Sequence, residues 1–176
     1  MRSAIAVVVL ALTAVALAAG EVVEAKDKEG VCYIATKTGY PGDDAPAGDI
    51  AKWMAAGAAA AGLPPELPVM ASLVESDLQN LNPGDADSVG FFQMRVGIWN
   101  QGEYEGFPSQ PELQLKWFID QAILFKGLRF TAGQTDLLED PSSWGEWIAD
   151  VERPAEQYRG RYQLRLEEAR ALIASK

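Results

Sequence analysis

"MASLVESDLQNLNPGDADSVGFFQM", residues 70–94, places one carboxylate, Glu75, on the shoulder of an apolar segment just before a loop of Asn, Pro, Gly and Asp. Upstream, "LPPELPVM" (63–70) supplies prolines that suit a first helical turn, where the missing N–H groups would be orphans anyway. Leu67, Met70, Ala71, Val74 and Leu78 then follow helical spacing and predict a buried stripe. Glu75 flanks that stripe in the last turn. Partial burial and the negative end of the helix dipole both favour its protonated form. A carboxyl that keeps its proton is what general-acid cleavage of a glycoside requires. The plainer alternative is an ordinary solvated Glu at a helix end.

Working outward, "VGFFQMRVGIWN" (89–100) is short, aromatic and β-branched, which suits a small strand pair or an irregular buried segment. Before the central helix, Asp49 is expected to cap "IAKWMAAGAAAAG" (50–62). Ile50, Trp53, Met54 and Gly57 share one face, and Gly62 is its stop. After the aromatic patch, Ser109 is expected to cap a helix with Pro111 and Glu112 in its first turn. Leu115, Phe118, Ile119, Ala122 and Phe125 form its apolar face, and Gly127 its end. "DPSSWGEWIADVERP" (140–154) predicts a shorter helix closed by Pro154. "PAEQYRGRYQLRLEEARALIA" (154–174) predicts a final amphipathic one, with its Glu–Arg pairs on a solvated face. The fold class is therefore mainly α, with one short non-helical patch after the helix that carries Glu75.

The N-terminus has a different composition. Met1 and Arg2 precede "SAIAVVVLALTAVALAA", an uncharged run of signal-peptide length, with small residues at Ala18 and Gly20 for cleavage. The expected organisation is a signal peptide over 1–20, a linker over 21–48 with a short strand near 31–35, and one domain over 49–176. That implies a secreted, extracytoplasmic protein; an uncleaved membrane anchor is the alternative.

The 176-residue chain carries a net charge of −10, so it offers no field to attract nucleic acid or anionic lipid. Cys32 is the only cysteine, which excludes an intramolecular disulfide. There is no histidine at all. Ser–His and Cys–His nucleophiles and His-ligated zinc are thereby excluded, and carboxylates must carry any proton transfer. "DADS" (85–88) lacks the calcium-loop run, and the twelfth position from Asp85 is Val96, not Glu. No metal or cofactor is called for.

The pair Glu75-Ser76, followed after a loop by Gly90-Phe91-Phe92-Gln93, resembles the lytic transglycosylase and lysozyme-like superfamily. That family carries a Glu-Ser pair and a Gly-Leu-Met-Gln-type turn at similar spacing. The resemblance implies a small lysozyme-like α+β domain whose groove takes peptidoglycan glycan strands. It implies that Glu75 is the catalytic acid and then base, and that Ser76 orients the sugar or the Glu. Gln93 would hydrogen-bond within the groove, and Gly90 would permit a tight turn beside the sugar chain. A later family motif, Ala-Tyr or Asn-Tyr before a small polar residue, is not literally present. "EWIADVERPAEQYRGRY" (146–162) occupies its region and offers Tyr158, Tyr162 or Asp150; Tyr158 is taken as the candidate substrate contact.

The implied reaction is cleavage of the MurNAc–GlcNAc β-1,4 bond with a single Glu, forming 1,6-anhydro ends. The alternative is a muramidase-type hydrolase with Asp85 or Asp87 as second carboxylate. Two non-enzymatic classes stand beside these. One is a glycan-binding module using some of Trp53, Trp99, Trp117, Trp144 and Trp147; the other is a helical adaptor. Aromatics at helical spacing are more often core, Trp117 above all.

Overall fold

The computed structural model describes residues 39–82 and 87–176 in full and the backbone of 22–26 and 32–36. The expected leader over 1–20 and Asp85 lie outside the described residues.

Two strands, β1 (Val22–Lys26) and β2 (Cys32–Thr36), pair antiparallel with Val22 opposite Thr36. The strand expected near 31–35 is β2, and it has a partner within the segment read as linker. The domain follows as α1 (Ala47–Ala60), α2 (Glu66–Glu75), β3 (Ser88–Val89), β4 (Met94–Arg95), α3 (Val96–Trp99), α4 (Pro111–Thr131), α5 (Trp144–Glu152) and α6 (Leu166–Ile173). Short 3-10 turns link the later helices. The domain is mainly helical, and its non-helical patch is the two-stranded β3–β4 hairpin.

The central element is α2, against which α1, α4, α5 and α6 all pack. Residues 67–73 are buried without interruption, so the expected stripe widens to the whole circumference. A helix apolar on all sides is one that other helices must surround. Each fully buried Leu or Met here contributes about 1.5–3 kcal/mol of transfer free energy. α2 stops at Glu75 and does not run on to Leu78. Asp77 and Leu78 take left-handed φ values of 54° and 58°, and the N–H groups of Ser76 and Leu78 both return to Ser72 O. Leu78 is buried all the same, brought inward by that turn.

Four other helix ends differ from expectation. α1 begins at Ala47, with Pro46 before it and Asp49 inside its first turn, where a carboxylate suits the positive helix end. Gln110, not Ser109, precedes α4, because Ser109 belongs to the 3-10 turn Phe107–Ser109. α4 also continues through Gly127 to Thr131; Gly127 keeps a helical backbone, and its missing side chain is tolerated in a long helix. The final amphipathic helix is α only over Leu166–Ile173. The segment before it forms the 3-10 turns Glu156–Arg161 and Gln163–Arg165. Arg159 accounts for this: its guanidinium is held by Glu146 and Asp150 of α5, at 2.8 and 2.7 Å, which binds the segment to α5.

Candidate active site

Glu75 is the last residue of α2, half-buried, and it accepts a hydrogen bond of 2.5 Å from the Tyr162 hydroxyl. Burial raises its pKa above the ordinary 4.5, and the Tyr162 donor opposes part of that rise. Burial and the Glu75 contact in turn push the Tyr162 phenol far up, so it stays a donor. Tyr162 is 1% exposed and sits between the two 3-10 turns that precede α6. Tyr158 does not reach Glu75. It is 42% exposed, with the Arg161 guanidinium 4.0 Å over its ring. Of the residues weighed for the later family motif, Tyr162 is the one that bonds Glu75. Asp150, the other residue weighed for that place, is spent on ion pairs to Arg129 and Arg159, each at 2.7 Å.

A second acid joins Glu75. Glu152 is the last residue of α5, as Glu75 is of α2, and its Oε1 is buried with no hydrogen-bond partner among the described residues. Burial first, and then the neighbouring Glu75 charge, hold its carboxyl well above the usual range. Both carboxyls thus lie at negative helix ends, where the anion is disfavoured. Sequence reasoning missed Glu152, although the signal that marked Glu75 is present. It too is an acid in the last turn of an apolar helix, just before a proline.

The motif residues after α2 build the wall beside these acids. Ser76 is only 6% exposed, and its Oγ donates to Phe91 O at 2.8 Å and lies 3.1 Å from Ser72 O. It ties the end of α2 to the β3–β4 turn. Gly90 holds φ at +78°, and a Cβ there would stand 2.1 Å from Gln114 Oε1. Only glycine lets the turn lie on the Gln114 amide. Gln114, buried on α4, accepts from Phe91 N at 2.9 Å and donates to Asn80 Oδ1 and Phe107 O. Gln93 is left-handed at φ 45° and donates through Nε2 to Gly90 O at 3.0 Å.

Two hollows adjoin the acids. One, of about 630 Å³, is lined by Glu75, Ser76, Asp77, Leu81, Arg161 and Arg165 among others. The other, of about 280 Å³, is lined by Gln93, Trp99, Trp117, Glu152 and Arg153 among others. Among the described residues the non-glycine left-handed positions are Asp77, Leu78, Gln93 and Arg153, and three of them line these hollows. Strained backbone of this kind collects where a fold is shaped for a ligand. Asp87 lines neither hollow. Its carboxylate pairs with Arg95 and accepts from Gly97 N at 3.0 Å, and these two donors lower its pKa. Of the five tryptophans, Trp53, Trp117, Trp144 and Trp147 are buried in the core, while Trp99 is partly exposed at the rim of the smaller hollow.

No cluster of metal-ligating side chains occurs among the described residues. No family model matches the chain, and neither the curated proteins nor the solved structures contain a match to it.

Proposed function

We propose that the protein is a lysozyme-like lytic transglycosylase that acts outside the cytoplasm on peptidoglycan glycan strands. The observation that supports this best is the protonation-prone Glu75, half-buried at a helix end, held by Tyr162 and lining the larger hollow. In this reading Glu75 gives its proton to the glycosidic oxygen as the C1–O bond breaks. The neighbouring N-acetyl oxygen of the substrate closes on C1 and carries the developing positive charge. The ionised Glu75 then takes the proton of the sugar's 6-hydroxyl as that oxygen attacks C1 and displaces the N-acetyl oxygen, which closes the 1,6-anhydro ring, regenerates the N-acetyl group and restores the acid. Tyr162 steadies the carboxylate between the two steps, since its hydrogen bond favours the charged form. Ser76, Gly90 and Gln114 hold the Gln93 turn against α2, so that Gln93 reaches the glycan from a fixed position.

The lyase reading is preferred to hydrolysis because Asp87, one of the two second carboxylates offered by the sequence, is committed to Arg95 and the start of α3. The test is mass analysis of fragments that the protein releases from purified peptidoglycan. Anhydro-ended muropeptides are expected. Reducing-end products would convert the reading to a hydrolase, and the absence of any product would remove the enzymatic reading.

A further inference from the structure

The described arginines fall into two sets. Arg95, Arg129, Arg159, Arg165 and Arg170 each pair with a carboxylate. Arg153 and Arg161 have no carboxylate partner among the described residues. Each instead lays its guanidinium over an aromatic ring, Arg153 over Phe125 at 5.8 Å and Arg161 over Tyr158 at 4.0 Å. Arg153 lines the smaller hollow and Arg161 the larger. The chain has 25 Asp and Glu against 15 Lys and Arg, so acids to pair with are in excess. Two arginines that go without one, each at the wall of a hollow, point to an anion that arrives from outside.

Arg161 is the better placed of the two. It precedes Tyr162, whose hydroxyl bonds Glu75 at 2.5 Å, and both Arg161 and Glu75 line the larger hollow. Arg161 is exposed, and its side chain donates to no acceptor among the described residues. A guanidinium lying on a ring has one face occupied and its edge N–H donors free, and that edge matches a carboxylate in bidentate fashion. The acids of the same wall are engaged elsewhere, Glu75 by Tyr162 and Asp77 by Arg165 at 3.4 Å. Beside Arg161 the hollow is apolar: Leu164 is 81% exposed and Leu81 37% exposed. A cation next to exposed apolar side chains suits a ligand with methyl groups beside a carboxylate. In a peptidoglycan strand GlcNAc is neutral. MurNAc carries such a group on its 3-oxygen, a lactyl unit extended by the stem peptide.

We propose that the larger hollow takes the lactyl-peptide branch of the MurNAc whose bond Glu75 opens, with Arg161, held on the Tyr158 ring, receiving a carboxylate of that branch. The proposal rests on the reading of the protein as a peptidoglycan-cleaving enzyme. It adds a specificity residue outside the Glu-Ser and Gly-Phe-Phe-Gln segments. Tyr158 becomes a positioning residue, which acts on the substrate through Arg161. A single cation at the hollow also gives a chain of net charge −10 a local means of holding an anionic strand.

The experiment compares Arg161→Gln, Tyr158→Phe and Tyr158→Ala with the wild type on three probes. These are soluble peptide-bearing strands, strands stripped of peptide by an amidase so that the lactyl carboxylate is free, and a neutral chitin oligosaccharide. Cleavage is measured on the strands, and binding on all three in a Glu75→Gln background. Arg161→Gln is expected to raise KM for peptide-bearing strands about tenfold with kcat within about twofold, and to leave affinity for the chitin oligosaccharide unchanged. Tyr158→Phe keeps the ring and is expected to match the wild type; Tyr158→Ala is expected to share the rise in KM. Added salt is expected to weaken strand binding with Arg161 present and to have little effect on Arg161→Gln. A loss confined to peptide-bearing strands assigns the contact to a stem carboxylate, and a loss that extends to stripped strands assigns it to the lactyl carboxylate; either supports the proposal. An unchanged KM in Arg161→Gln, or an equal loss of affinity for the chitin oligosaccharide, would overturn it. If the wild type cleaves no strand, the enzymatic reading fails and binding alone decides: Arg161-dependent preference for the charged strands upholds the anion site, and its absence overturns it.

Discussion

At the scale of single residues, the site turns on how two helix ends treat a proton. Glu75 is held above its ordinary pKa by burial, and the Tyr162 hydroxyl pulls in the opposite direction. Removing that hydroxyl therefore has a signed consequence. Tyr162→Phe is expected to raise the Glu75 pKa further and move the alkaline limb of the activity profile to higher pH. It is also expected to lower kcat about tenfold, because the carboxylate formed after the first step loses its donor. A pH–rate series on the variant measures both, and an unmoved alkaline limb would contradict the role given to Tyr162. Glu75 was legible in the sequence because its evidence is local: helical spacing, a last-turn position and a break after it. Tyr162 was named there only beside Tyr158. The choice between two tyrosines four residues apart depends on 3-10 turns that no periodicity announces.

The elements that present these residues are joined by a few buried polar contacts. Gln114 of α4 supports the Gly90–Gln93 turn by bonding Phe91 N, and it ties that turn to Asn80 and Phe107. Gln114→Ala is expected to leave the Phe91 N–H and the Phe107 carbonyl unpaired. The cost is about 3 kcal/mol of stability, read from a urea unfolding curve, together with reduced activity as Gln93 loses its fixed position. A change under 1 kcal/mol would show that the turn stands without α4. Helix order and the place of the β3–β4 hairpin followed from pattern, since apolar spacing and Gly/Pro breaks are properties of neighbouring residues. The early end of α2 did not. It requires Asp77 and Leu78 in left-handed backbone, which costs about 1–2 kcal/mol per residue and which the packing of Leu78 must offset. The 3-10 path before α6 was hidden for a similar reason, because Arg159 draws that segment onto α5.

For the whole molecule, burying two acids beside each other couples folding to pH. Both Glu75 and Glu152 have folded pKa values above their ordinary 4.5. The folded protein thus binds more protons than the unfolded chain above that pH. Their contribution to stability is fully present below about pH 4.5 and is lost as pH rises through the folded values. The denaturant midpoint is expected to fall as pH rises above about 4.5, and Glu152→Gln to flatten that fall. Parallel slopes in wild type and variant would contradict the assignment of Glu152 as a buried acid. Composition already excluded histidine and cysteine–histidine chemistry for the entire chain and left proton transfer to carboxylates. That two such carboxyls, one ending α2 and one ending α5, are brought together was not readable, because the helices lie far apart in sequence and meet only in the packed core.

The central claim is that Glu75 is the group that gives up the proton. Its most direct test is the rate of fragment release from purified peptidoglycan by Glu75→Gln beside the wild type, with thermal unfolding and glycan affinity measured on both. The expected result is a loss of at least about 10³-fold in kcat with fold and binding retained. A folded Glu75→Gln protein that still cleaves at a rate near that of the wild type would contradict the account.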